Sequence, residues 1–197
     1  MSVSVAGEIA ATAARLVVDE GMEYAQAKRK AVRQLSGRLP RGRTELPSNE
    51  QVEDEVRRHL ALFCADTQPA ELRALRELAL RWMQRLAEFR PHLGGAAWRG
   101  TATALSALHI DLYCDDPKAA EIALINQGID YDVAGGDGDA DVHYLSLADR
   151  CPGLAQPVTL HLAVREMDAQ RGALKPDARG RTWRGDAAAL QRLLESA

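Results

Sequence analysis

The sequence predicts an α+β fold, with an N-terminal helical region packed on a small mixed β-sheet flanked by helices. Apolar residues recur at three- and four-residue steps through residues 1–90. After Pro91 that period gives way to strict alternation, and short two-faced strands are separated by a helix start and polar turns. The expected division is a helical region over 1–90 and an α+β domain over 91–197.

In the first helix, Ile9, Ala13, Leu16 and Val17 share a face, and Gly21 is the stop. A second helix begins near Glu23, has Tyr24, Ala27, Ala31 and Leu35 on one side, and ends at Ser36-Gly37. Residues 37–47 are rich in Arg, Pro and Gly and form a loop. Ser48 to Gln51 has capping-box form and opens a third helix, with Val52, Val56, Leu60 and Phe63 as its apolar stripe. A fourth starts near Pro69, turns Leu72, Leu75, Ala79, Trp82 and Leu86 inward, and is ended by Pro91.

Leu108, Ile110, Leu112 and Cys114 then alternate with His109, Asp111 and Tyr113 in a strand. Asp115-Asp116-Pro117 supplies an Asp cap and a first-turn proline for a helix running to Gly128. Short strands are expected at 129–133 and 142–147. Another covers 157–164, where Thr159, His161 and Ala163 face away from Val158, Leu160, Leu162 and Val164. A polar tail leads into a last helix at 186–194.

Composition narrows the function. There are 25 Lys and Arg against 28 Asp and Glu, a net charge of −3, so neither a globally basic nucleic-acid binder nor a disordered acidic chain fits. No apolar run reaches membrane-spanning length, and the first residues lack a signal-peptide pattern, so a cytoplasmic location is expected. Cys64, Cys114 and Cys151 are odd in number and widely spaced, which points to reduced, packed thiols.

The chemistry-bearing stretch is "HLGGAAWRGTATALSALHIDLYCDD". Phosphoryl and nucleotidyl transfer depend on metal ions held by carboxylates. An Asp-x-Asp strand puts two carboxylates on one face. A nearby glycine pair lets backbone N–H groups approach phosphates. Leu93-Gly94-Gly95, thirteen residues, then His109-Ile110-Asp111-Leu112 resembles the signature of the DNA polymerase beta-like nucleotidyltransferase superfamily. The resemblance covers roughly residues 91–164. The helical part before it resembles bacterial proteins of this size, which implies a bacterial protein.

What the resemblance implies is a nucleotidyltransferase-like sheet that binds a nucleotide, or that transfers a nucleoside monophosphate to an acceptor hydroxyl with Mg2+ or Mn2+. Asp111 would bind metal, His109 would be a ligand or base, and Gly94 and Gly95 would cradle phosphate. His161 would stand at the third acid's position. His109 and His161 thus replace two carboxylates, so three readings stay open. The fold is catalytically degenerate but still binds a ligand; or Asp115, Asp116 or Asp141 replaces the missing acids; or His109, Asp111 and His161 form a two-His-one-carboxylate site for zinc, manganese or iron.

Other features are weighed against ordinary structure. Trp98-Arg99 follows the glycine pair, where Arg99 is a candidate nucleotide contact and Trp98 a packing residue. Lys28, Arg29, Lys30, Arg33, Arg38, Arg41 and Arg43 form a basic run read as a solvated face. Lys175, Arg179, Arg181 and Arg184 form a second, which lines a phosphate site only if the tail folds over the strands. Asp137, Asp139 and Asp141 imitate a calcium loop but lack its glutamate, so a polar turn is expected. "AARLVVDEGMEY" resembles the first helix of TetR-like repressors, yet no recognition helix follows and DNA reading is not expected. A protein partner or a homodimer remains open, because leucine-rich helices serve either an interface or an internal bundle.

Overall fold

The computed structural model describes residues 4–37, 45–134, 142–172, 174–177 and 179–196. Arg38, Arg41 and Arg43 of the first basic run, and Asp137, Asp139 and Asp141 of the calcium-like turn, lie outside the described residues. The chain forms two compact units, Met1–Pro69 and Ala70–Ala197.

The first unit holds three helices: α1 (Val5–Glu20), α2 (Tyr24–Leu35) and α3 (Asn49–Phe63). Ile9, Ala13 and Val17 of α1 pack with Ala27 and Ala31 of α2 and with Val52, Val56 and Leu60 of α3. Gly21 closes α1 in the left-handed conformation, φ 66°. Ser48 caps α3 in a complete capping box: its hydroxyl accepts from the Gln51 N–H, and the Gln51 side chain accepts from the Ser48 N–H. Phe63, expected on the buried stripe, is instead 72% exposed at the end of α3. It lies edge-tilted against His59, the ring centroids 4.7 Å apart.

In the second unit, α4 (Gln68–Arg85) leads to a six-stranded sheet with α5 (Gly95–Arg99), α6 (Pro117–Asn126) and α7 (Ala187–Glu195). The strands are β1 (His92–Gly94), β2 (Leu108–Tyr113), β3 (Asp132–Ala134), β4 (His143–Asp149), β5 (Val158–Arg165) and β6 (Arg184–Asp186), in spatial order β3-β4-β5-β2-β1-β6. Only β2 and β5 are parallel; the other neighbours are antiparallel. The class is α+β, as the sequence predicts.

One core serves this unit. Leu75, Leu78, Ala79, Trp82, Met83 and Leu86 from α4 and the segment after it join Leu108, Ile110 and Leu112 of β2 and Leu160 and Leu162 of β5. The Trp82 indole N–H donates to Asp149 on β4 at 2.8 Å, satisfying the polar edge of a buried aromatic. Hence α4 packs with the sheet, and the two compact units divide within its first turn, between Pro69 and Ala70. Helical period places α4 with the preceding helices in sequence, but its apolar stripe is spent on the sheet.

The alternation in each strand sorts the sheet into two faces. The apolar face meets the helices. The other face carries His109, Asp111 and Tyr113 from β2, His161 and Arg165 from β5, Ser146 from β4 and Arg184 from β6.

Candidate functional site

The site is built by register. Parallel pairing of β2 with β5 sets His109 beside His161 and Tyr113 beside Arg165. Antiparallel β1 then places Gly94 beside His109 and His92 beside Asp111, and β6 places Arg184 beside Gly94. A single row therefore crosses the sheet: Ser146, His161, His109, Gly94, Arg184.

Along that row, the Ser146 hydroxyl and His161 Nδ1 are 2.7 Å apart. The His161 and His109 rings follow, their centroids 5.1 Å apart and their planes inclined by 30°. The His109 ring rests on the glycine turn. A Cβ at Gly95 would lie 3.1 Å from His109 Cδ2, and Gly95 has φ +63°. Glycine suits the turn's left-handed backbone, and an added Cβ would crowd the imidazole above it. The turn expected to receive a phosphate receives a histidine ring.

Asp111 defines the neighbouring row. Its carboxylate accepts from Arg165 Nε at 3.0 Å through Oδ1 and is ion-paired with Arg184, whose Nη1 lies 2.6 Å from Oδ2. The side chain is 12% exposed, and the two guanidinium-bearing side chains are 24% and 28% exposed. Burial disfavours charge on Arg165, but its hydrogen bond to Asp111 and that carboxylate's charge outweigh it and hold the guanidinium above its ordinary pKa. Arg184 also donates to the Tyr113 hydroxyl at 3.4 Å. Burial raises the Tyr113 phenol, with the Asp111 charge adding to the rise and the arginines opposing it. His92 packs edge-on against Tyr113 at 5.3 Å between centroids, with Nδ1 2.8 Å from the Arg90 carbonyl oxygen.

His109, Asp111 and His161 therefore share one face, as the alternation predicts. Among the described residues, no group of three or more His, Cys, Asp or Glu is placed to hold a metal ion. Magnesium and manganese need hard anionic oxygens, and the one carboxylate of the motif has one oxygen hydrogen-bonded to Arg165 and the other ion-paired with Arg184. This donor set does not fit Mg2+ or Mn2+. Of the replacement acids, Asp116 caps α6 by accepting from the Lys118 N–H at 2.9 Å, and Asp115 precedes it at the strand's exit.

Arg99 is occupied elsewhere. Its side chain is 5% exposed and donates to Asp177 at 3.2 Å and to the Thr182 carbonyl at 3.3 Å. Its Cζ lies 4.2 Å from the centroid of the Trp183 ring. Trp98 Nε1 donates to the Thr182 carbonyl at 3.0 Å. The tail preceding β6 is thereby tied to α5, and it brings Arg184 onto the sheet.

Arg165 was the residue hardest to see in sequence. Its one signal is position: it continues the His161, Ala163 alternation by two, so it shares their face. Arg184 stands in the second basic run, but only the folding of the tail decides its partner.

Two cavities matter here. One of about 350 Å³ adjoins Arg184 and is lined by Ala169, Gly172, Lys175, Pro176 and Trp183. The other, of about 460 Å³, is formed by the loop 150–157 before β5, at the opposite end of that strand from Arg165.

No protein-family model matches the sequence, and no curated protein matches it. Among solved structures, the Cid1 poly(U) polymerase with MgGTP bound is similar at 14% identity, with a TM-score of 0.39, over 54% of this chain and 38% of that one. Cid1 in complex with the UTP analogue UMPNPP gives 14% identity and a TM-score of 0.38 over 54% and 36%. A third Cid1 structure, described for its RNA terminal uridylyl transferase activity, gives 15% and 0.32 over 53% and 32%. This chain spans under two fifths of the length of these structures.

Proposed function

We propose that this chain is a nucleotidyltransferase-like protein that binds the phosphates of a nucleotide on the polar face of its sheet, through Arg165 and Arg184, without metal-dependent transfer. One observation supports the reading above the others: the motif's only acid, Asp111, is held by two guanidiniums. Two cations on one carboxylate leave the cluster with a positive excess, in a partly desolvated place where charge is weakly screened. Guanidinium forks match phosphate oxygens bidentately. An incoming phosphate would share the arginines with Asp111, which acts as a positioning residue.

A thermal-shift titration with each nucleoside triphosphate, in chelator and then with magnesium, manganese or zinc, tests this. Ligand that binds the folded state raises the melting temperature. The expected result is a shift of equal size in chelator and in magnesium. It persists in Asp111→Asn and is lost when Arg165 and Arg184 are both replaced by Gln. A shift that needs magnesium and disappears in Asp111→Asn overturns the reading in favour of transfer of a nucleoside monophosphate, with Asp111 exchanging its arginines for metal. A shift with zinc or manganese alone, lost on replacing His109 or His161, favours the histidine site. No shift with any ligand sinks nucleotide binding and directs the search to a protein partner.

A further inference from the structure

We propose that the cavity beside Arg184 is a nucleobase subsite, so that the sheet-face arginines and this cavity together hold one free nucleotide; this rests on the phosphate reading above. The cavity has about 350 Å³, within the lower range of small-molecule sites. Its walls supply two chemistries. Lys175 and Arg184 bring positive charge, while Trp183, Pro176 and Ala169 bring apolar surface. Arg184 is common to the cavity and to the Asp111 cluster, so the cavity adjoins the sheet-face arginines.

Trp183 is the stacking platform. It keeps 37% of its surface in solvent, so part of the indole is open to a ligand. The Arg99 guanidinium occupies one ring face at 4.2 Å, and Arg99 is itself fixed by the buried Asp177 carboxylate. The ring is thus held in place before any ligand arrives, which lowers the ordering cost of binding. Lys175 has no ion-pair partner among the described residues and is exposed, so its charge is available to an anion. Among the described residues a single aromatic side chain, Trp183, lines the cavity, whereas strand binding uses successive stacking platforms. The occupant is therefore one nucleotide rather than a polynucleotide.

Calorimetric titration of the full chain with nucleoside triphosphates and, separately, with tripolyphosphate tests this. Expected is binding of at least one nucleoside triphosphate about tenfold or more tighter than tripolyphosphate, the scale of one base–aromatic stack. Trp183→Leu should erase that difference while leaving tripolyphosphate binding in place, and Trp183→Phe should restore part of it. Lys175→Ala, at an exposed position, should weaken nucleotide binding. Equal affinities for the nucleotides and tripolyphosphate in the unaltered chain overturn the base subsite and leave the phosphate reading standing. A single-stranded oligonucleotide that outcompetes mononucleotide also overturns it. If neither tripolyphosphate nor nucleotide binds, both proposals fall together.

Discussion

At Asp111 the meaning of one residue depends on what the fold brings to it. In sequence it is the surviving acid of a metal-binding pattern; in the structure two arginines from β5 and β6 take its oxygens. Asp177 shows the same dependence. It sits in a basic tail, yet its side chain is 2% exposed and accepts the backbone N–H groups of Arg181 and Arg179, each at 2.9 Å, as well as Arg99. The Arg181 N–H is the main cause that lowers its pKa below 3.8, with Arg179 and Arg99 adding to it and burial opposing. The folded state therefore favours the carboxylate. That stabilisation is present above the ordinary Asp range and is lost as pH falls through the lowered value. Asp177→Asn should melt below the unaltered chain at neutral pH, and the difference should shrink as pH drops below 3.8. A difference that stays constant from neutral pH to pH 2–3 (roughly one unit or more below the ordinary Asp value) would falsify this account of the tail's anchor.

At the scale of elements, the strongest signals in sequence were the local ones. The Ser48–Gln51 capping box forms as expected, because it needs only residues within one turn. Strands β2 and β5 are long enough for alternation to name their faces, and their register puts His109 beside His161. Strands β1 and β6 have three residues each, too few to alternate detectably, and both hide in segments whose composition suggests turn and tail. The glycine pair was legible as a turn, but not the ring above it. Gly95→Ala should cost about 1–2 kcal/mol from the left-handed backbone alone, and more because its Cβ would press on His109 at 3.1 Å. Urea unfolding measures this; a loss under about 0.5 kcal/mol, the range of ordinary surface changes, would mean the turn relaxes and the ring moves.

For the molecule as a whole, the partition of the core is the least legible feature. A fragment of residues 70–197 retains α4 from Ala70 onward and the whole cluster that includes Leu75, Leu78, Trp82 and Leu86. It should show cooperative unfolding and dispersed amide resonances. A fragment of 91–197 lacks that cover, leaves the apolar sheet face exposed, and should aggregate or remain unfolded. Equal folding of both fragments would favour a boundary at residue 90.

The sequence by itself determined the helical starts and stops, the change of period after Pro91, the two faces of β2 and β5, and so the α+β class. Each of these follows from interactions spanning a few neighbouring residues, or from the fixed 3.6- and 2-residue periods. The described helices include none long and apolar enough to cross a membrane, in keeping with the absence of a long apolar run. Tertiary structure alone decided which core claims α4, which cations neutralise Asp111, and that Arg99 anchors a tail instead of facing the sheet. Those outcomes join positions far apart in the chain: Asp111 with Arg165 and Arg184, and Arg99 with Asp177. A charged residue takes whatever opposite charge packing brings within about 3 Å, and no local pattern encodes that choice.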